Sequence, residues 1–283
     1  MTHSIKRGRL LVVGTPIGNL EDFSPRARAA LAGADAVFCE DTRVTAKLAA
    51  RFALPARRVS CPAPREESRV AELLERLERG ETVAFVSDAG MPSVSDPGAR
   101  LVEAAAAAGY EVSVVPGPSA PVAALAVSGL PAAPHTFLGF LPARDGERRR
   151  FLEALRERPE TLVWFEAPHR LRASLEAAAE VLGPRRACVA RELTKLHEEV
   201  VRGTLPELAR DFAARDEIRG EITVVAEGFR GAPAPLSQDV LDALVREGLA
   251  AGEPLKALSR RLAPRAGRPA REVYARALEL SRR

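Results

Sequence analysis

SDAGMPSVSDPG (residues 87–98) joins TVAFV (82–86), a β-branched and aromatic run, to ARLVEAAAAAG (99–109), which has helical composition. Its twelve residues hold two Gly, two Pro, two Asp and three Ser. Gly lets main chain approach a neighbour closely, and Pro holds it extended. Turn chemistry alone would explain one such connection. The pattern recurs, however. GTPIGN (14–19) follows LLVV (10–13), PGPSA (116–120) follows EVSVV (111–115), and EAPHR (166–170) follows TLVWF (161–165). Further β-like runs are AVFC (36–39), ACVA (187–190) and EITVVA (221–226).

Helical patterns lie between most of these runs, and residues 66–79 carry apolar positions at helical spacing. Ser24-Pro25 and Asp96-Pro97 read as N-cap-plus-Pro starts, and Gly109 reads as a helix stop. The alternation predicts α/β layers with largely parallel sheets. In a parallel sheet the connections after strands share one edge, where open α/β folds bind ligands. The special loops therefore converge on one crevice.

Length and composition bound the rest. The 283 residues are 46% hydrophobic and 28% charged, an ordinary globular balance for about two domains. No apolar run nears the ~18 residues of a membrane span, and the first residues lack a signal-peptide pattern. Cys39, Cys61 and Cys188 have no CxxC spacing, which argues against a disulfide framework or zinc site and for a reduced, cytoplasmic protein. Expected boundaries are 1–120 and 121–230 for two α/β domains, and 231–283 for a helical tail with a helix-turn-helix-like pattern. Three helices are expected there, at roughly 237–248, 253–263 and 269–281. From residue 232 the tail holds ten Lys/Arg against six Asp/Glu, which accounts for the whole net charge of +4. Such an appendage fits a polyanion partner or a solvated helical face. The Arg run in RDGERRR (144–150) is open to the same two readings.

The loops exclude several ligands. GTPIGNLEDF is neither GxGxxG nor GxxxxGK[ST], and no GxSxG elbow occurs. The four His are scattered, so no metal site is expected. Asp88 and Asp96 flank one loop as a possible carboxylate pair, but Asp96 reads better as a helix cap.

LLVVGTPIGNLEDFSPRARAAL, FCEDTRVTAKL, VSDAGMPSVSDPG, VPGPSA, FEAPHRL, ARELTKLHEEV and RGEITVVAEG stand in order along 1–228. Together they resemble the tetrapyrrole-methylase-like superfamily and, within it, the small-subunit ribosomal RNA 2′-O-ribose methyltransferases. The resemblance implies two α/β domains with S-adenosyl-L-methionine in the cleft between them, folded against loop backbone. It implies a homodimer and a cytidine of small-subunit (16S) ribosomal RNA, free or in the assembled small ribosomal subunit, as substrate. Carried onto these motifs, the cofactor contacts are Pro16, Asp88, Gly90, Met91, Val94, Ser119, Ala120 and Phe165, with Glu166 a weaker candidate. Met91 stands where the family usually has Thr, which removes a hydroxyl. Pro64-Arg65-Glu66 replaces a His-Asn-Glu stretch, keeping only the acid.

Methyl transfer to a ribose hydroxyl needs alignment and benefits from proton removal. Lys195 or Glu192 is expected nearest the hydroxyl, with Arg43 also assigned to the catalytic set. Arg43, Glu66 and Arg191 are the substrate-binding candidates. Lys195 can act as a base only if desolvation lowers its pKa. With ten Phe, two Tyr and one Trp, a stacking platform for single strands is not expected, and recognition of folded RNA shape fits better. The rival readings are a small-molecule methyltransferase acting on a tetrapyrrole precursor, and a non-catalytic RNA-binding adaptor. Intact cofactor loops disfavour the adaptor, and the basic tail disfavours the tetrapyrrole enzyme.

Overall fold

The computed structural model describes residues 8–55, 57–63, 66–231 and 236–281. Its contacts divide the chain into two units, Met1–Phe229 and Arg230–Arg283.

The first unit holds two five-stranded sheets among the described residues. The first comprises β1 (Arg9–Val13), β2 (Ala36–Cys39), β3 (Arg58–Ser60), β4 (Thr82–Val86) and β5 (Glu111–Val115), in the order β3-β2-β4-β1-β5. Every pairing is parallel. Apart from Arg9 and Thr82 at their starts, the inner strands are apolar because both faces are covered. Leu10, Phe38, Val83 and Phe85 face α3 (Glu66–Glu78) and α4 (Ala99–Ala107) through Leu73, Leu77 and Leu101. Leu11, Val13, Val37 and Val86 face Phe23, Ala27 and Leu31 around α1 (Pro25–Ala32). Ser24 caps α1, its hydroxyl accepting from the Ala27 N–H at 3.1 Å. The remaining helix on this sheet is α2 (Thr42–Arg51).

The second sheet comprises β6 (His135–Phe140), β7 (Thr161–Glu166), β8 (Arg186–Arg191), β9 (Glu199–Thr204) and β10 (Ile222–Ala226), in the order β6-β7-β10-β8-β9. The parallel expectation fails here beyond the β6–β7 pair. β10 runs antiparallel to both neighbours, and β9 antiparallel to β8. The chain from β8 to β9 is too short for a crossover, so β9 must return antiparallel. One face packs on α6 (Asp145–Glu153), α7 (Leu171–Leu182) and α8 (Leu205–Ala213) through Leu152, Leu175 and Phe212. The other packs on α5 (Ala120–Ser128) through Ala124 and Leu125, and Ile17 from the loop after β1 joins that cluster with Leu193.

Two local expectations change. α4 starts at Ala99 with Gly98 in the cap position at φ +125°, so Asp96 is not its N-cap. A Cβ at residue 98 would overlap the Phe85 ring, so the chain turns here only with glycine. The capping carboxylate is Glu66, whose Oε1 accepts from the N–H groups of Gly98 (3.0 Å), Arg100 (2.7 Å) and Leu101 (3.4 Å). The second change is β3, β6 and β9, which are additional to the seven strands expected. Pro64 and Arg65 lie outside the described residues, as does the stretch 232–235.

The second unit is three helices, α9 (Gln238–Ala250), α10 (Leu255–Ala266) and α11 (Ala270–Ser281), each within a few residues of its expected span. Leu241, Val245, Leu258, Leu262, Val273 and Ala277 form its core. The guanidinium of Arg276 grips the nearly buried Asp242 and holds its carboxyl down at about 2.

The loops after β1 and β5 meet main chain to main chain. A Cβ on Gly14 would lie 2.6 Å from Cα and N of Gly117, and 2.8 Å from Sδ of Met91. Gly14→Ala must push these loops apart, at about 1–3 kcal/mol for overpacking. Urea unfolding is expected to show a lower midpoint with an unchanged slope.

Candidate active site

The three Gly/Pro loops of the first sheet are laced by main-chain hydrogen bonds. The N–H of Gly14 donates to Val115 O at 3.0 Å, and that of Thr15 to Gly90 O at 2.9 Å. The buried Thr15 hydroxyl reaches Ser87 O and Gly90 O. The N–H of Gly117 donates to Sδ of Met91 at 3.2 Å, so the thioether is an acceptor joining the loops after β4 and β5. Ser93 and Ser95 both adopt φ +67°, which costs L-residues energy and marks a loop held by its surroundings.

These loops form one wall of a cavity of about 360 Å³, and the second sheet supplies the facing wall. From the first come Ile17, Gly90, Met91, Val94 and Asp96, followed by Ser119 and Ala120 at the start of α5. From the second come Phe140, Phe165, Glu166, Leu193 and Glu221. Of the eight expected cofactor contacts, Gly90, Met91, Val94, Ser119, Ala120 and Phe165 line this cavity. Pro16 is buried next to the lining residue Ile17. Asp88 lies behind the wall, its Oδ1 accepting from the Asp41 N–H at 3.0 Å.

Three carboxylates line the cavity, and among the described residues no Lys or Arg does. Asp96 is half-buried. Burial raises its proton affinity, Asp88 and Glu221 add repulsion, and a hydrogen bond from Ser87 opposes the rise without cancelling it. Glu166 is fully buried at its side chain. Its Oε1 accepts from the Ala167 N–H and lies 3.4 Å from Nε of Arg170, while its Oε2 has no partner among the described residues. A buried oxygen without a donor is uncommon, and a ligand amine or hydroxyl would satisfy it.

Lys195 and Glu192 stand beside Glu221. Nζ of Lys195 lies 2.9 Å from Oε1 of Glu192 and 3.1 Å from Oε2 of Glu221. Burial alone would lower the lysine's pKa, but hydrogen bonds to the two carboxylates lift it above the ordinary value. The condition for a lysine base is therefore reversed, and Lys195 is an ammonium. Burial raises the Glu192 carboxyl, yet the Glu221 N–H and Lys195 hold it below its usual range. Glu192 and Thr194 adopt φ +51° and +67°, and Thr194 Oγ1 accepts from the Asn19 N–H at 3.0 Å. This strained loop is thus tied to the loop after β1.

The other expected residues stand away from the cavity wall. Arg43 is exposed at the start of α2 and paired with Asp41 at 2.6 Å; such pairs add little stability. Glu66 is the buried cap of α4. Arg191 points to a smaller cavity of about 260 Å³, lined also by Arg215, Glu217, Ile218 and Arg219. There its Nε meets Oε2 of Glu199 at 3.0 Å and its Nη1 meets Arg219 O at 3.2 Å. In RDGERRR, Arg144, Arg148 and Arg149 pair with Glu147, Asp145 and Glu180, so much of that run is spent on its own helix and its neighbour.

Asp96, Phe140, Leu193 and Glu221 were not foreseen. Glu221 escaped because β10 is antiparallel, so its first residues, not its last, reach the cleft beside the ends of β7 and β8. Phe140 sits on β6, an edge strand that the pattern of apolar runs does not mark.

Residues 9–209 match the family model for tetrapyrrole (corrin/porphyrin) methylases. Proteins named ribosomal RNA small subunit methyltransferase I are close relatives. That of Mycobacterium tuberculosis (strain CDC 1551 / Oshkosh) is 48% identical, over 97% of this chain and 96% of its own. That of Mesorhizobium japonicum is 44% identical, over 96% and 92%. Among solved structures, the methyltransferase CobJ superposes with a TM-score of 0.60 at 22% identity, over 81% of this chain and 97% of its own. Diphthine synthase does so with 0.59 at 15%, over 78% and 90%. Both likenesses concern the fold.

Glu66→Ala removes the acceptor of three N–H groups at the start of α4. The loss is expected to cost about 1–3 kcal/mol, read as a lower denaturation midpoint, and Glu66→Gln should retain part of it.

Proposed function

Because the chain belongs to the tetrapyrrole methylase family, and within it to the ribosomal RNA small subunit methyltransferase I family, we propose that this methyltransferase moves a methyl group from S-adenosylmethionine to the 2′-hydroxyl of a cytidine in small-subunit ribosomal RNA. The observation that carries the donor assignment is the cavity wall. It presents main chain, small and apolar side chains, and three carboxylates, of which Glu166 and Glu221 are paired with Arg170 and Lys195 and Asp96 with no cation, and no Lys or Arg lines it among the described residues. A phosphate-bearing cofactor needs N–H nests or basic side chains; a sulfonium carrying an amine and an adenine needs the opposite. Anionic walls in a cleft of low dielectric concentrate a cation. The unpartnered Oε2 of Glu166 is an acceptor awaiting a donor group. S-adenosylmethionine supplies, when bound, an electrophilic methyl carbon on a positively charged sulfur.

The chain's part is to hold that carbon in line with a ribose oxygen and to take its proton. Alignment comes from the rigid lacing of the Gly14, Gly90 and Gly117 loops. For the proton we assign Asp96, on the wall and with raised proton affinity, as the general base. Lys195, held by Glu192 and Glu221, serves as a fixed positive charge at the same site. Arg191, Arg215 and Arg219 around the smaller cavity are paired with Glu199, Asp211 and Glu217, and to serve RNA phosphate they would exchange those partners for it. In the C-terminal helices Lys256, Arg260, Arg265 and Arg271 are exposed and make no ion pair among the described residues, which suits a polyanion. The reading includes a homodimer, for which Val114 on β5 and Val122 on α5, each more than half exposed, offer apolar surface. It also includes a cytoplasmic setting; no helix among the described residues is long and apolar enough to cross a membrane.

Incubation with methyl-labelled S-adenosylmethionine and isolated small ribosomal subunits is expected to label the RNA, and a 2′-deoxy target to abolish labelling. Label in a small-molecule fraction instead would overturn the substrate class. A pH series tests the base. Asp96 must be deprotonated to act, so kcat/KM for the donor, which reports the free enzyme, should fall as pH drops through a pKa above the ordinary carboxylate range. Asp96→Asn should lower kcat roughly 10²- to 10⁴-fold, a larger loss than the weakening of donor binding expected from removing one wall charge.

A further inference from the structure

β6 breaks its register with β7 at one point. His135 faces Thr161 and Phe137 faces Val163, yet Phe140 faces Phe165, so three steps on β6 match two on β7. The extra residue is a bulge, a device that re-aims side chains beside functional sites. Gly139 makes it possible at φ +64°, where it passes the cavity loop so closely that a Cβ would lie 3.3 Å from Oγ of Ser95. The consequence is a change of face. In a regular strand Phe137 and Phe140 point to opposite sides. Here both rings meet Phe165, at centroid distances of 5.0 and 5.5 Å, and Phe140 joins the cavity wall.

The two lining rings differ in surroundings. Phe165 is half-buried between its two neighbours. Phe140 is 54% exposed, and Val94, on the loop from the first sheet, is 43% exposed. A phenyl group turned onto a cavity wall and left more than half open offers a π face to a planar ligand. An enzyme that modifies a ribose inside a cleft must take that nucleotide out of its stack, and the base then needs a new stacking partner.

We infer that Phe140, placed by the β6 bulge on the wall of the cavity that Val94 also lines, is the shelf on which the base of the splayed-out target nucleotide stacks. The inference rests on the RNA-methylation reading and adds to it a residue that positions the second substrate, in the cavity that the expected donor contacts Val94 and Phe165 also line. It concerns one base, not a run of bases, and so agrees with the low aromatic content of the chain.

The test uses full-length Phe140→Ala, Phe140→Leu and Phe140→Trp. S-adenosylmethionine affinity is measured by calorimetry, and kcat and KM are measured on isolated small ribosomal subunits. Loss of one base–aromatic stack should raise KM for the RNA roughly ten- to hundredfold in the Ala and Leu variants, with donor affinity unchanged and Trp restoring KM. Loss of donor affinity with RNA KM unchanged would assign the ring to the adenine of the donor and overturn the inference. So would a Leu variant that behaves as wild type, since apolar volume alone would then suffice. If the wild type itself labels no RNA, the substrate reading falls first and the inference with it; retained donor binding tells that outcome apart.

Discussion

Two glycines without side chains between them hold this active site together. Gly14 and Gly117 place the loops after β1 and β5 in main-chain contact, and the sulfur of Met91 closes over the join. Through Thr15 the same contact fixes the loop after β4. Three connections that would be free to move separately become one surface, and Ile17 anchors it to the second sheet beside Leu193. Everything proposed for catalysis needs that surface to be rigid, because in-line transfer tolerates little misplacement.

Charge is arranged around this frame in two layers. The wall carries Asp96, Glu166 and Glu221; Arg170 stands against Glu166, and Lys195, beside Glu221, is held by two carboxylates so that it stays protonated. Arginines gather outside, around the smaller cavity next to the same two chain segments, 190–193 and 217–223. On the proposed reading, a cationic donor would meet the carboxylate wall and a polyanionic acceptor the arginines beside it. This segregation accounts for the absence of any nucleotide-phosphate motif in the glycine loops.

Much of this was legible in the sequence, and what was not has a common cause. The seven strands with apolar runs were read directly, because strands buried on both faces show continuous hydrophobicity. The three that escaped, β3, β6 and β9, are all edges of their sheets, and each is largely half-buried or exposed. The rule that loops after strands build the crevice located the segments, and the family resemblance named Gly90, Met91 and Ser119 within them, which line the cavity. It missed Glu221, because the antiparallel β10 enters the cleft by its first residue, and Phe140, because a bulge changed its face. Asp96 was read as a cap on the strength of Asp-Pro spacing. Glu66, distant in sequence, holds that post instead and leaves Asp96 to the cavity. Contacts between distant segments decided each of these, and no local pattern carries them. The three tail helices, set by local periodicity and short turns, lay close to where they were expected.

On the proposed reading, loop backbone and carboxylate-lined walls bind a sulfonium donor with no anion cradle. Titration calorimetry of the full-length protein with S-adenosylmethionine and, separately, with a nucleoside diphosphate tests it most directly. A saturable heat is expected for S-adenosylmethionine, abolished in Gly117→Ala, and none for the diphosphate. Saturable binding of the diphosphate with none of the sulfonium would contradict it.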